Sequence, residues 1–299
     1  MLDSLILRDI VLYYNITKDT ASTLPKPMRL LILIVCLQAG PVLAAPRVVT
    51  SIAPLKEITT ALMAGVGSPQ SIVADGASMH HFAMRPSHMR LLQQADLVIW
   101  MDRHFEAGFA QIAQTLPGSA SQLELLPALG IDDHDGHIWY SPHRLQQATE
   151  IIAARLIEID PGHEAQYRHN AAQLVAEIAD WREQTRLHLQ RHPPRYVTDH
   201  RFSNHFAADM EYAAIATIHD QHDDHGGLGE LEEIEARLRA QPASCLLTLE
   251  SAPTPLALEL AQKYQLKVIS LMTAPGDGSQ SVSIMRRLRQ FATALDQCA

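Results

Sequence analysis

From residue 48 onward, short apolar runs alternate with apolar stripes of helical period. Val48 to Pro54 reads as a strand ending at a proline, and Leu55, Ile58, Leu62 and Val66 then recur on one helical face. Ser71-Ile72-Val73 is a second strand. Pro86 and Ser87 open a helix, because proline in the first turn leaves no hydrogen bond unmade. Met89, Leu91, Leu92 and Ala95 follow at helical spacing. Leu97 to Trp100 is a continuous apolar run, the pattern of a strand buried on both faces. A helix over 107–115 and a short strand over 123–126 complete the alternation, which predicts a parallel α/β lobe.

The period then lengthens. Leu145, Ala148, Ile151, Ile152, Leu156 and Ile159 form one stripe, and Asp160-Pro161-Gly162 breaks it. A helix over 163–190 follows, with Ala171, Leu174, Ile178, Trp181 and Leu187 recurring until His192-Pro193-Pro194 stops it. At 1.5 Å per residue it is about 40 Å long. That is long for a globular domain, and it reads as a spine between two lobes. Beyond it, strands over 196–198, 214–218, 245–250 and 267–271 alternate with helices over 202–212, 228–240, 254–264 and 283–295. The expected division is 45–159 for the first α/β lobe, 160–192 for the connecting helix and 193–299 for the second lobe.

The stretch before residue 45 has a different character. Met28-Arg29, the apolar run Leu30 to Leu37 and the small-residue end at Ala44 have the three parts of a secretory signal peptide. The run is too short to span a bilayer as a mature helix. Cleavage is expected after Ala44, translation is expected to begin at Met28, and the mature chain is expected in the periplasm. Hydrophobic residues make up 47% of the chain, enough for a sizeable core, and a net charge of −9 argues against a nucleic-acid partner. Beyond Ala44 two cysteines remain, Cys245 and Cys298. An even pair in an exported chain suggests a disulfide, which would pin the C-terminus to the strand around Leu246; two buried free thiols are the alternative.

All 16 histidines also lie beyond Ala44. His80, His137 and His200 each sit in a loop that adjoins a predicted strand or opens a helix, two before the spine and one after it. A cleft between lobes would bring such loops together. Three neutral imidazoles suit Zn(II), with a fourth position for a carboxylate or water, and an imidazole-only set favours zinc over oxygen-preferring Mn(II). Against this, a lone loop histidine is usually a solvated side chain, and these spacings form no local metal motif. His205, off the helical face of His200, reads as cleft-lining at most. His219, His222 and His225 stand among three aspartates, either as a solvated acidic loop or as a weak auxiliary metal site.

Asp75-Gly76-Ala77-Ser78-x-His80-x-Phe82, then Arg85-Pro86-Ser87 and Ala95-Asp96-Leu97-Val98, resembles the periplasmic zinc-binding proteins of high-affinity zinc ABC transporters. The likeness continues through His137-x-Trp139-x-Ser141-Pro142 and Asp199-His200 to the cysteine pair, over residues 46–298. It implies two Rossmann-like lobes with parallel sheets joined by a long rigid helix. It further implies His80, His137 and His200 as ligands of one zinc ion, and delivery of that ion to a membrane permease by a monomeric chain that is not an enzyme. Three features depart from the pattern. The His-rich loop before the second ligand is cut to Asp132 through Gly136, and Met79 stands where some relatives carry Glu. Thr273 takes the place of an expected Asp ligand, so the fourth position falls to Asp277, to Glu250 or to water. The same fold selective for Mn or Fe, a periplasmic zinc buffer, or a zinc hydrolase are the alternatives. Against the last, the chain has no H-E-x-x-H helix.

Overall fold

In the computed structural model, which describes residues 44–73, 84–116, 121–219, 228–250, 253–271 and 283–299, eight strands form two parallel sheets. The first runs in the order β2 (Gln70–Ser71), β1 (Val48–Thr50), β3 (Leu97–Trp100), β4 (Ser121–Glu124). The second repeats that order as β6 (Ala216–His219), β5 (Tyr196–His200), β7 (Cys245–Thr248), β8 (Lys267–Ser270). In each sheet the chain leaves its first strand to one side and then crosses to the other. The switch points therefore lie at the carboxyl ends of β1 and β5, where open α/β sheets leave a crevice for ligands. The predicted alternation is met, with several element ends shifted: β1 stops at Thr50, β2 spans Gln70–Ser71, β6 spans Ala216–His219 and β7 stops at Thr248. The strand expected at 123–126 begins at Ser121 and ends at Glu124, because it pairs residue for residue with β3 and stops where β3 stops. Leu125 already starts a short helix.

The helices are α1 (Ala53–Leu62), α2 (Pro86–Gln93), α3 (Ala107–Ala113), α4 (Leu125–Ala128), α5 (Pro142–Ile159), α6 (Glu164–Arg191), α7 (Asn204–Met210), α8 (Leu228–Ala240), α9 (Pro255–Lys263) and α10 (Ile284–Asp296). None among the described residues is long and apolar enough to cross a membrane. The 28 residues of α6 join the lobes and bury one stripe: Tyr167, Asn170, Leu174, Ile178, Trp181, Thr185 and Leu189. One polar member of that stripe, Asn170, meets the end of α1. The Asn170 amide donates to the carbonyls of Leu62 (2.7 Å) and Ala64 (2.9 Å), which the end of α1 would otherwise leave unmet.

One apolar core runs through both lobes. Leu55, Ile58 and Ile99 share it with Tyr196 and Leu247, and Tyr140, Phe202, Phe206 and Phe291 belong to it as well. The rings of Tyr140 and Phe291 lie 4.6 Å apart, and those of Phe206 and Phe291 lie 4.9 Å apart. Helix α10 is held at both ends. Near its start, Arg287 forms a bidentate pair with Glu57 of α1 (2.6 and 3.2 Å). Just past its end, Cys298 is bonded to Cys245 of β7.

Glu106, just before α3, is a buried carboxyl that accepts the Met101 N–H at 2.5 Å. Burial pushes it up from 4.5 to about 7, against the pull of that hydrogen bond. Between those values the folded chain keeps a proton that the unfolded chain has released. The favourable contribution of this group is therefore complete below its unfolded value and fades as pH rises through its folded value. Glu106→Gln keeps the acceptor and removes the ionisation. It should gain on wild type by about 2 kcal/mol between about pH 5 and about pH 8 in urea unfolding of the metal-free protein. A pH-independent difference would contradict this.

Candidate metal centre

His200 is the last residue of β5, so its position at the second switch point follows from sheet topology alone. His137 is placed by a tight loop. His134 takes a left-handed backbone (φ 57°), and Gly136 lies flat against Phe105, where an added Cβ would come within 2.6 Å of the ring. A 3-10 turn over Ile138–Tyr140 follows, and Ser141 caps α5 by accepting the Arg144 N–H at 3.2 Å. Buried Asp102 fixes the opposite wall. It accepts the backbone N–H of His104 (3.0 Å) and Phe105 (2.6 Å) on one oxygen, and its other oxygen lies 3.1 Å from His134 Nδ1.

The two imidazoles come from different lobes and meet. Their ring centroids are 5.3 Å apart. With Zn–N bonds of about 2.1 Å at a tetrahedral angle, two imidazoles on one ion have centroids about 5 Å apart. Each ring is oriented by its own carboxylate: His137 Nδ1 lies 2.8 Å from Asp135 Oδ1, and His200 Nδ1 lies 2.8 Å from Asp199 Oδ1. A carboxylate accepts, so this network assigns a proton to Nδ1 in both rings and makes Nε2 the nitrogen that would face a metal. Both carboxylates are nearly inaccessible, with side chains 2% and 3% exposed. Burial pulls the Asp135 carboxyl upward. The hydrogen bond and charge of His137, with the charge of His205, outweigh it and hold the group below its ordinary range. Asp199 is held in turn by the Thr248 hydroxyl, and that hydroxyl accepts the Glu250 N–H at 3.0 Å. Phe105 and Trp139 meet the His137 ring edge-on at 5.2 and 5.1 Å, and Phe202 lies 5.3 Å from His200. A water-poor pair of imidazole nitrogens results, a donor type suited to a borderline-soft divalent cation.

Of the other expected ligands, His80, Asp277, His222 and His225 lie outside the described residues. The backbone of His219 pairs beside His200 between β5 and β6, and its side chain is likewise outside the description. Glu250 stands two residues beyond the end of β7, next to the hydrogen-bonded run that supports His200. Among the described residues no three His, Cys, Asp or Glu converge on one metal position. The disulfide between Cys245 and Cys298 is formed. Sequence reasoning missed the orienting carboxylates. Their signal was an Asp one or two residues before each histidine, in Asp135-x-His137 and Asp199-His200. His205, expected at most to line the cleft, is instead buried at 8% exposure and bonded to the carbonyl of Asp135.

Residues 48–298 match the family described as zinc-uptake complex component A, periplasmic, or ZnuA. The chain belongs to this family. Both sheets, both described imidazoles and both cysteines fall within the ZnuA match. The high-affinity zinc uptake protein ZnuA of Yersinia pestis is 31% identical over 171 residues, covering 46% of this chain and 54% of that protein. Its counterpart in Haemophilus ducreyi is 25% identical over 250 residues, covering 72% and 80%. Among solved structures, a manganese-bound mutant of the periplasmic metal-binding protein of candidatus liberibacter asiaticus superposes with a TM-score of 0.73 at 14% identity, covering 84% of this chain and 99% of that one. At that identity the likeness speaks for the fold: two parallel-sheet α/β lobes joined by a long helix.

Proposed function

We propose that this ZnuA-family chain is an extracytoplasmic solute-binding protein that captures Zn(II) between its lobes and delivers it to an ABC permease. The observation that carries this reading is the pair of imidazoles, buried His137 and half-buried His200, one from each lobe, whose 5.3 Å separation suits a shared tetrahedral ion. His137 and His200 supply two ligands through Nε2. His80 supplies the third, and the fourth comes from Asp277, Glu250 or water. His219, His222 and His225 form an auxiliary loop that raises the local zinc concentration. Lobes 45–159 and 193–299 hold the ion from opposite sides, with 160–192 as the connector. Residues 1–44 carry the export signal, and the mature protein works as a periplasmic monomer without catalysis.

Zinc is the cargo, in preference to manganese or iron, because the donors are neutral imidazoles and manganese favours oxygen. In a competition between equimolar zinc and manganese for residues 45–299, read with a chromogenic chelator, one zinc per chain should be retained. The preference should be about a hundredfold or more. Equal retention of the two metals would sink the zinc assignment.

A further inference from the structure

The loop that presents His137 belongs to the first lobe, and the second lobe holds it. His205 lies in the first turn of α7, beside Phe206 of the shared aromatic core. Its Nε2 lies 2.7 Å from the carbonyl oxygen of Asp135. A carbonyl only accepts, so Nε2 carries the proton and donates. The same nitrogen stands 3.9 Å from Asp135 Oδ2. Arg201 approaches that carboxylate oxygen with Nε at 3.9 Å and reaches Asp133 Oδ2 with Nη2 at 3.3 Å. On the far side of the same residue, Asp135 Oδ1 takes both the backbone N–H of His137 at 3.0 Å and its ring Nδ1 at 2.8 Å.

We propose that His205, assisted by Arg201, is a positioning residue for the metal centre. From the second lobe it clamps Asp135, and Asp135 sets the height, tautomer and tilt of His137 relative to His200. The inference rests on His137 and His200 being zinc ligands. It goes beyond that reading by giving two residues that touch no metal a defined share in affinity.

The geometry explains why such a brace is needed. The two imidazoles come from separate lobes, one on a loop and one at a strand end, and a tetrahedral ion tolerates little error in their spacing. Arg201 follows His200 directly, so the residue that ends β5 as a ligand is succeeded by one that grips the opposite loop. The path from one ligand to the other is thus short and crosses between lobes through His205, Asp135 and Arg201. It does not depend on the long helix. His205 Nε2 is no rival donor to the metal, since the proton on that nitrogen is committed to the carbonyl. Partners that orient metal-bound imidazoles are worth about 10- to 100-fold in affinity, and a brace acting through such a partner should fall in the same range.

The test uses residues 45–299 as wild type, His200→Ala, His205→Leu, His205→Gln and Arg201→Leu, each titrated with zinc against a chromogenic chelator and loaded with Co(II) for visible absorption. Leucine fills the site without a donor, and glutamine offers an amide N–H at similar reach. His205→Leu should lose zinc affinity about 10- to 100-fold, mainly through faster release, with a weakened or shifted Co(II) band. His205→Gln should restore both. Arg201→Leu, at a half-exposed position, should fold as wild type and lose a smaller factor. That variant decides the matter should His205→Leu not fold: unchanged zinc affinity in Arg201→Leu would then overturn the brace. Wild-type affinity and spectrum in His205→Leu, or an equal loss in His205→Gln, would also overturn it. If His200→Ala loses zinc while those results hold, only the brace has failed. If wild type and His200→Ala bind alike, the zinc reading has failed and the brace with it.

Discussion

Glu57→Ala should cost about 3–5 kcal/mol of unfolding free energy. The pair it breaks is deeply placed, with the Glu57 side chain 4% and the Arg287 side chain 13% exposed. It spans 230 residues of sequence and ties α1 of the first lobe to α10. Burial works against the Arg287 charge. The Glu57 carboxylate outweighs that penalty and holds the guanidinium above its ordinary value. Removing Glu57 therefore leaves a charged arginine beside the Tyr140 phenol, with its desolvation uncompensated. The double change Glu57→Leu/Arg287→Met removes both charges and should recover most of the loss, because a buried pair is often replaceable by packed apolar groups. Urea unfolding of the three proteins reads this directly. A loss below about 1 kcal/mol in Glu57→Ala would show that water reaches the pair and screens it.

Removing the disulfide should be comparably expensive. Cys245 and Cys298 are fully buried and separated by 53 residues, and closing a loop of that length in the unfolded chain is worth about 4 kcal/mol on the chain-entropy account. Cys245→Ala/Cys298→Ala should lower the urea midpoint accordingly. Part of the anchor survives in the native state, because the Cys298 carbonyl still accepts the Arg195 N–H at 2.8 Å. Zinc stoichiometry should therefore stay at wild type in the double variant, since neither sulfur touches the imidazole pair. Equal stability with and without the bridge would mean that the α10 anchor resides in its packing on Tyr140 and Phe206.

What could be read from the chain divides by sequence distance. The 28-residue α6, expected over 163–190, spans Glu164–Arg191, because its buried stripe is written at intervals of three and four. Parallel strands such as Leu97–Trp100 were legible as unbroken apolar runs between charges. The end of β4 was not, since pairing with β3 decides it. At the candidate metal centre, His137 and His200 stood out by loop position and by family resemblance, and their Asp partners lay within two residues. The remaining contacts join distant positions: His205 to Asp135 across 70 residues, Thr248 to Asp199 across 49, Arg287 to Glu57 across 230. No local pattern announces a hydrogen bond of that reach. The tertiary fold has to be in hand before such partners can be named.

The central claim is that one zinc ion is held between the lobes by His137 and His200. The most direct test is zinc titration of residues 45–299 against a chromogenic chelator, for wild type, His137→Ala and His200→Ala. One tight site in wild type, weakened about a hundredfold or more in each variant, is the predicted result. Tight binding that survives in both variants would contradict the claim and move the site to the histidines between His219 and His225.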